Sequence, residues 1–218
     1  KVNLPRSTVQ RIVGALAAEN LLMAATPTGR VRIGTGILAL AGASRFDTIE
    51  LAHPHIKALA ETTGETVDLA VLKKDHLVFV DQVVGSHRLR AVSAVGETFP
   101  VHSTASGKAC LALMPDADIR RVLAPRFPSS ADEASTATIN GLIREIGKVR
   151  KTSVAYDEEE HTRGISAIGT ACRDSIGGIY AVSVPVPTIY GSASHFHALR
   201  DTLRVVRTIW RHRAEVFR

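Results

Sequence analysis

Apolar residues near the start of the chain recur at intervals of three and four. Val9, Ile12, Val13 and Leu16 fall at i, i+3, i+4 and i+7, which predicts one apolar face of a helix within Leu4–Leu22. Pro5 suits a first helical turn, where its missing N–H is harmless. Asn20 is placed to close the helix in a left-handed conformation. Ser7, Arg11 and Gly14 then point away from the apolar stripe, with Thr8 and Gln10 beside them. The pattern next changes to a period of two. In "MAATPTGRVRIG" the Pro27-Thr28-Gly29 turn separates two short extended pieces, and Arg30 and Arg32 alternate with Val31 and Ile33.

Further along, 35–44 reads as a small apolar helix. Residues 47–62 read as another, with Ile49, Ala52, Ile56 and Leu59 inward, Pro54 bending its start and Gly64 stopping it. Val67, Leu69 and Val71 alternate, Lys73-Lys74-Asp75 turns, and Leu77–Val80 returns, predicting a hairpin with one buried face. "HRLRAVSAV" reads as a third extended run. Helices are expected at 104–113, 116–124 and 138–150, and strands at about 152–156, 165–171 and 178–184. A closing helix over about 193–215 would bury Phe196, Leu199, Leu203, Val206, Ile209 and Trp210. Strands, helices, more strands and a last helix make an α+β domain around a mostly antiparallel sheet.

Length and composition narrow the class. The 218 residues allow one large or two smaller domains, and 45 % apolar content is enough for a real core. Cys110 and Cys172 form neither a disulfide framework nor a CxxC pair, which fits a reducing compartment and a cytoplasmic location. No run of eighteen apolar residues predicts a membrane span, and the first residues do not read as a signal peptide.

Charge changes the picture more. The net charge is +6 and the pI about 9.7. Residues 1–32 carry Lys1, Arg6, Arg11, Arg30 and Arg32 against Glu19 alone, a footprint suited to a polyanion. The arginines of the last nineteen residues have mostly helical spacing and read as a solvated face. A helix with hydroxyls, an amide and a guanidinium on its free face, followed by a basic hairpin, has the form of a recognition helix and wing. Arg reads guanine or holds phosphate, Gln reads adenine, and Ser and Thr do either more weakly. Arg6, Ser7, Thr8, Gln10 and Arg11 are therefore the candidate groove or phosphate contacts, and Arg30 and Arg32 the wing contacts. The bland alternative is a surface hairpin that carries two arginines. A helix-turn-helix also needs a supporting helix, and only three residues precede Leu4, so the expectation is that the domain continues upstream.

Five stretches, taken in order, resemble the IclR family of bacterial transcriptional regulators: "LPRSTVQRIVGAL", "RVRIGTGILALA", "LAETTGETVDLAVL", "GETFPVHSTASGKACLA" and "YDEEEHTRGISAIGTACRDSIGGIYAVSV". The resemblance implies a partial winged helix-turn-helix over 1–34, a linker helix over 35–46 and a GAF-like effector domain over 47–218. It implies a dimer or a dimer of dimers on palindromic double-stranded operator DNA, controlled by a small organic acid, an aromatic one among the candidates. The family's pocket positions map onto Leu89, Ala105, Ser106, Asp157, Ala167 and Ser183. Two departures bear on that pocket. "TAC" precedes Arg173-Asp174 where the family often has "APV", and Pro185-Val186-Pro187 replaces a second serine and Gly-Pro, giving fewer donors and a stiffer rim.

From the residues alone, "VHSTASGKA" offers clustered hydroxyls, Gly107 and the charge of Lys108 where a loop enters a helix, or else only a cap and a small packing turn. Asp157–Glu160 is an acidic run whose bland reading is a solvated loop. Cys110 with His102 would be a nucleophile pair, but "KACLALM" reads as a buried apolar helix. His53/His55 and His195/His197 have the wrong spacing to meet on a helix, so no metal is expected. No catalytic set and no cofactor is expected. The rival readings are a ligand-binding or enzymatic GAF-like domain without DNA binding, and a structural scaffold.

Overall fold

The computed structural model describes residues 4–24, 31–37, 47–126, 138–174, 177–190, 199 and 203. The chain divides into two units, Lys1–Asp47 and Thr48–Arg218.

In the first unit, α1 spans Arg6–Ala18 and leads into a two-stranded antiparallel hairpin, β1 (Leu22–Ala24) and β2 (Val31–Ile33). Asn20 adopts a φ of 55°, as its position predicts, and turns the chain out of the helix. Gly34 and Gly36 then pass against that turn. A Cβ at Gly34 would lie 2.0 Å from the Asn20 carbonyl oxygen, so only glycine lets the hairpin return there. The apolar stripe of α1 is less covered than its periodicity predicts. No residue of the helix is buried, and Val9 and Ile12 are 40 % and 45 % exposed. The hairpin touches α1 through β1.

The second unit opens with α2 (Asp47–Thr63), which runs through Pro54. A six-stranded antiparallel sheet follows, in the order β5-β4-β3-β8-β7-β6. Its strands are β3 (Val67–Lys73), β4 (His76–Val83), β5 (Thr98–Pro100), β6 (Ala155–Glu158), β7 (Ile165–Arg173) and β8 (Ile179–Pro187). Between β5 and β6 come α3 (Ala105–Leu111), α4 (Asp116–Leu123) and α5 (Ile139–Thr152). The α+β, mostly antiparallel expectation holds.

Helices cover both faces of the sheet. Ala52, Ile56, Leu59 and Ala60 of α2 pack with Val67, Leu69, Ile168, Val182, Val184 and Val186, joined by Leu199 and Leu203. Leu111, Ile119, Leu123, Leu142, Ile146 and Val149 pack against Ala70, Leu77, Phe79, Ala171 and Ala181 on the other face. The sequence predicts one buried face for β3. Instead Val67 to Val71 are buried without a break, because β3 lies centrally between β4 and β8 with helices on both sides. Leu199 and Leu203 are buried as expected, whereas Phe196, Val206, Ile209 and Trp210 lie outside the described residues.

"HRLRAVSAV" is not a strand. Residues 84–97 form a loop, and the next strand begins only at Thr98. Leu89, Val92 and Val95 remain exposed, so the alternation there has no surface to bury against. The loop is pinned at both ends instead. Ser86 N–H donates to the Gly64 carbonyl, and Gly96 N–H donates to the Phe79 carbonyl.

β8 carries two prolines, which a central strand would not tolerate. Its pairing with β3 covers Tyr180–Ser183 and stops at the Asp68–Ser183 pair. Beyond it, Pro185 and Pro187 pair only with β7, opposite Ala167 and Ile165. The missing N–H groups therefore fall where β8 has become an edge.

Candidate functional site

α3 meets the sheet where the strands carry small residues. A Cβ on Gly169 of β7 would lie 3.0 Å from the Ala105 carbonyl carbon, so the start of α3 rests on bare backbone. Ala105 is buried by that approach. The next residue, Ser106, is also buried, and its Oγ donates to Ser183 Oγ at 2.7 Å. Thr104 caps the helix, its Oγ1 accepting from Gly107 N–H at 3.1 Å and donating to the Pro100 carbonyl at 2.7 Å. Gly107 is obligatory for another reason: a Cβ there would sit 2.3 Å from Val101 Cα.

Cross-strand pairing adds two more predicted positions. Asp157 on β6 pairs with Ala167 on β7, and Ala167 pairs with Pro185 on β8. The next row inward joins Ala155, Gly169, Ser183 and Asp68. Residues two apart on a strand share a face, so Asp157, Ala167, Gly169 and Ser183 all lie on the face that α3 covers. Ala105, Ser106, Asp157, Ala167 and Ser183 are thus brought together. Leu89 lies in the 84–97 loop, exposed, and no described contact joins it to the other five.

Asp157 is buried, and it organises the acidic run after β6. Its Oδ1 accepts from Glu160 N–H at 2.8 Å and from His161 N–H at 3.4 Å. Burial raises its pKa above the ordinary carboxylate range. The two backbone donors and Lys108 oppose that, while the Glu160 charge adds to it. The run is therefore more than a solvated loop. His161 packs its ring edge-on against Phe99, with centroids 4.6 Å apart, and Phe99 does the same with Phe79 at 4.8 Å.

Lys108 does not play the part its sequence position suggests. It is fully buried, and its Nζ donates to Glu145 Oε1 at 2.7 Å and Glu160 Oε1 at 2.6 Å. Burial works against its charge, but those two carboxylates outweigh it and raise the pKa. The ammonium is committed to tying α3 to α5 and to the turn after β6, so it is not offered to an anion. Burial likewise pushes the Cys110 thiol far up, and it is no nucleophile.

Three residues beside this site escape the sequence reading: Asp68, Gln82 and Ser93. Asp68 is buried on β3, pairing with Ser183 on one side and Gln82 on the other. Gln82 Nε2 donates to its Oδ1 at 2.6 Å, and Ser93 Oγ donates to its Oδ2 at 3.2 Å. The signal was available: an aspartate inside "TVDLAVL" is a charged residue in an otherwise apolar central strand.

In the first unit, Arg6, Ser7, Gln10 and Arg11 are exposed on α1, and Thr8 is half-buried. Arg6 and Gln10, and Ser7 and Arg11, are helical neighbours four apart. Arg32 is exposed on β2 opposite Met23. Among the described residues no carboxylate pairs with Arg6, Arg11 or Arg32. Arg30 lies outside the described residues.

Comparison with known proteins decides the family. The family model described as "Bacterial transcriptional regulator IclR C-terminal" matches residues 41–207. The chain belongs to the IclR family. It is 42 % identical over 188 residues to the HTH-type transcriptional regulator Rv1719 of Mycobacterium tuberculosis, covering 86 % of this chain and 72 % of that one. It is 34 % identical over 187 residues to the HTH-type transcriptional regulator TtgV of Pseudomonas putida, covering 86 % and 71 %. An IclR-family regulator structure from Silicibacter superposes with a TM-score of 0.84 at 20 % identity, over 97 % of this chain and 84 % of that one. An IclR homolog from Microbacterium hydrocarbonoxydans, solved with 4-hydroxybenzoate, superposes with a TM-score of 0.71 at 22 % identity, over 96 % and 87 %. This IclR-family chain is a transcriptional regulator and not an enzyme, which removes the enzymatic rival. No described helix is long and apolar enough to cross a membrane.

Proposed function

We propose that this IclR-family regulator binds a palindromic operator as a dimer or tetramer and is controlled by a small, hydroxylated aromatic acid. One observation carries the reading. The chain holds two polar assemblies of opposite character, one in each unit. Exposed arginines with no carboxylate partner among the described residues stand on α1 and β2, and a buried file of hydroxyls and carboxylates lies under α3. Unpaired surface cations suit phosphate. Buried hydroxyls with a fixed geometry suit a small molecule.

Arg6, Ser7, Thr8, Gln10 and Arg11 are assigned to the groove and the adjoining phosphates, and Arg30 and Arg32 to the wing. Leu89, Ala105, Ser106, Asp157, Ala167 and Ser183 are assigned to the effector. The Phe79–Phe99–His161 ring cluster beside Asp157 favours an aromatic ligand. A relative in fold was solved with 4-hydroxybenzoate, a ligand of that class. Residues 35–46 are assigned as the linker through which the effector acts on DNA affinity. A coupling of about 1–3 kcal/mol suffices for a useful switch.

The test titrates the full-length protein against a labelled fragment of its own upstream intergenic region, with excess random DNA, at two salt concentrations. Specific binding that weakens with salt is the expected result. Absence of specific binding by a folded sample would sink the DNA-binding reading.

A further inference from the structure

Asp68 is a buried carboxylate beside the hydroxyls of Ser106 and Ser183, and it is not among the pocket positions assigned above. It is 2 % exposed, and its register partner Ser183 is 4 % exposed. Side chains of paired residues on antiparallel strands stand side by side on one face. Ser183 Oγ in turn accepts from Ser106 at 2.7 Å. The file therefore runs Ser106, Ser183, Asp68 across α3, β8 and β3. The Asp68–Ser183 pair is also where the β3–β8 ladder ends and β8 turns to proline.

The partners of Asp68 are all neutral donors. Gln82 Nε2 serves one oxygen and Ser93 Oγ the other, and among the described residues no lysine, arginine or histidine pairs with it. A buried carboxylate without a counter-ion has acceptor capacity left over, since each oxygen has two lone pairs. Ser106 spends its hydrogen on Ser183, whereas no described acceptor takes the Ser183 hydrogen. The site thus presents acceptors at Asp68 and one free donor at Ser183. A second carboxylate placed against Asp68 would meet repulsion. A hydroxyl would meet an acceptor.

We propose that Asp68 is a specificity-determining residue of the effector site, accepting a hydrogen bond from a hydroxyl group of the ligand. The assignment rests on the effector-site reading given above. It orients the ligand: the hydroxyl faces β3 and the carboxylate faces away from Asp68. Gln82 and Ser93 hold the carboxylate in place. Because Ser93 belongs to the 84–97 loop, ligand engagement at Asp68 also reaches that loop.

The experiment measures dissociation constants by calorimetry for matched probes on the full-length protein. The probes are 3- and 4-hydroxybenzoate against benzoate, and 4-hydroxyphenylacetate against phenylacetate. The proteins are wild type, Asp68→Asn and Ser183→Ala, each checked for its thermal midpoint. A hydrogen bond to a charged acceptor predicts that wild type prefers a hydroxylated probe by about tenfold or more. Asp68→Asn should cut that preference to below about threefold by weakening the hydroxylated probe, with its unhydroxylated parent within about twofold of wild type. Ser183→Ala should weaken both members of the pair. Binding that Ser183→Ala weakens, with a hydroxyl preference that Asp68→Asn leaves intact, overturns the assignment of Asp68 alone. Equal loss of both probes in Asp68→Asn also overturns it, since that is the mark of a structural residue. Failure of every probe to bind folded wild type overturns the effector-site reading together with this assignment.

Discussion

Asp68 shows what burial does to a single group. Desolvation raises its pKa from 3.8 to about 6, against the hydrogen bonds from Gln82 and Ser93, and the charge of Glu97 adds to the rise. The folded protein then holds this proton more tightly than the unfolded chain does. Its contribution to stability is therefore full below about pH 4 and is lost as pH rises through about 6. Asparagine keeps the shape and removes the titration. Asp68→Asn should gain stability relative to wild type between pH 5 and pH 7.5, by on the order of 1 kcal/mol. Urea unfolding of both proteins at the two pH values checks this, and a difference that does not change with pH would count against it. Lys108 is the reverse case, a buried cation with two carboxylates. Lys108→Met fills similar space but leaves Glu145 and Glu160 facing each other. Both retain some exposure, so the loss should be about 2–3 kcal/mol, short of a fully buried broken pair. A loss under about 0.5 kcal/mol in the same assay would mean that the triad holds nothing together.

The elements were legible wherever period and punctuation agreed. The two strands of the Val67–Val83 hairpin and the Lys74-Asp75 turn between them sit where the sequence puts them, and Lys74 takes positive φ. The 84–97 stretch departs from the expected strand because alternation specifies a strand only where one face is buried, and Leu89, Val92 and Val95 stay exposed. The site was legible in part for the same kind of reason. Ser106, Asp157 and Ser183 stood out as polar residues in a family pattern. Their meeting depends on α3 packing onto β7 and β8 and on the β6–β7–β8 register, and no local period encodes either. The seat of α3 rests on two glycines: Gly107, which the sequence marks beside its hydroxyl cluster and which meets the Val101 backbone, and Gly169 on β7, which no spacing marks. Gly107→Ala drives a Cβ into the Val101 backbone at 2.3 Å, so α3 must move away. The expected loss is about 1–3 kcal/mol, with weaker probe binding because Ser106 moves too. Gly147→Ala on α5 meets nothing within 4 Å and should instead gain about 0.5–1 kcal/mol. Thermal midpoints that move in the same direction for both variants would refute the packing argument.

At the scale of the whole molecule the two units treat charge differently. Among the described residues no carboxylate pairs with Arg6, Arg11 or Arg32 of the first unit, while the second neutralises its buried Lys108 with Glu145 and Glu160. If α1 reads bases, Arg11→Ala should lower affinity for the specific fragment by on the order of tenfold and for random DNA much less. If β2 meets phosphate, Arg32→Ala should weaken both DNAs alike and reduce the slope of log affinity against log salt by about one. The two variants therefore separate on different axes, one on specificity and the other on salt. Fluorescence anisotropy on both fragments at four salt concentrations gives both axes from one data set. An Arg11→Ala protein with the wild-type ratio of specific to random affinity would remove α1 from base reading. It would leave the helix a phosphate contact, and the choice of operator would then have to lie in residues other than Arg11.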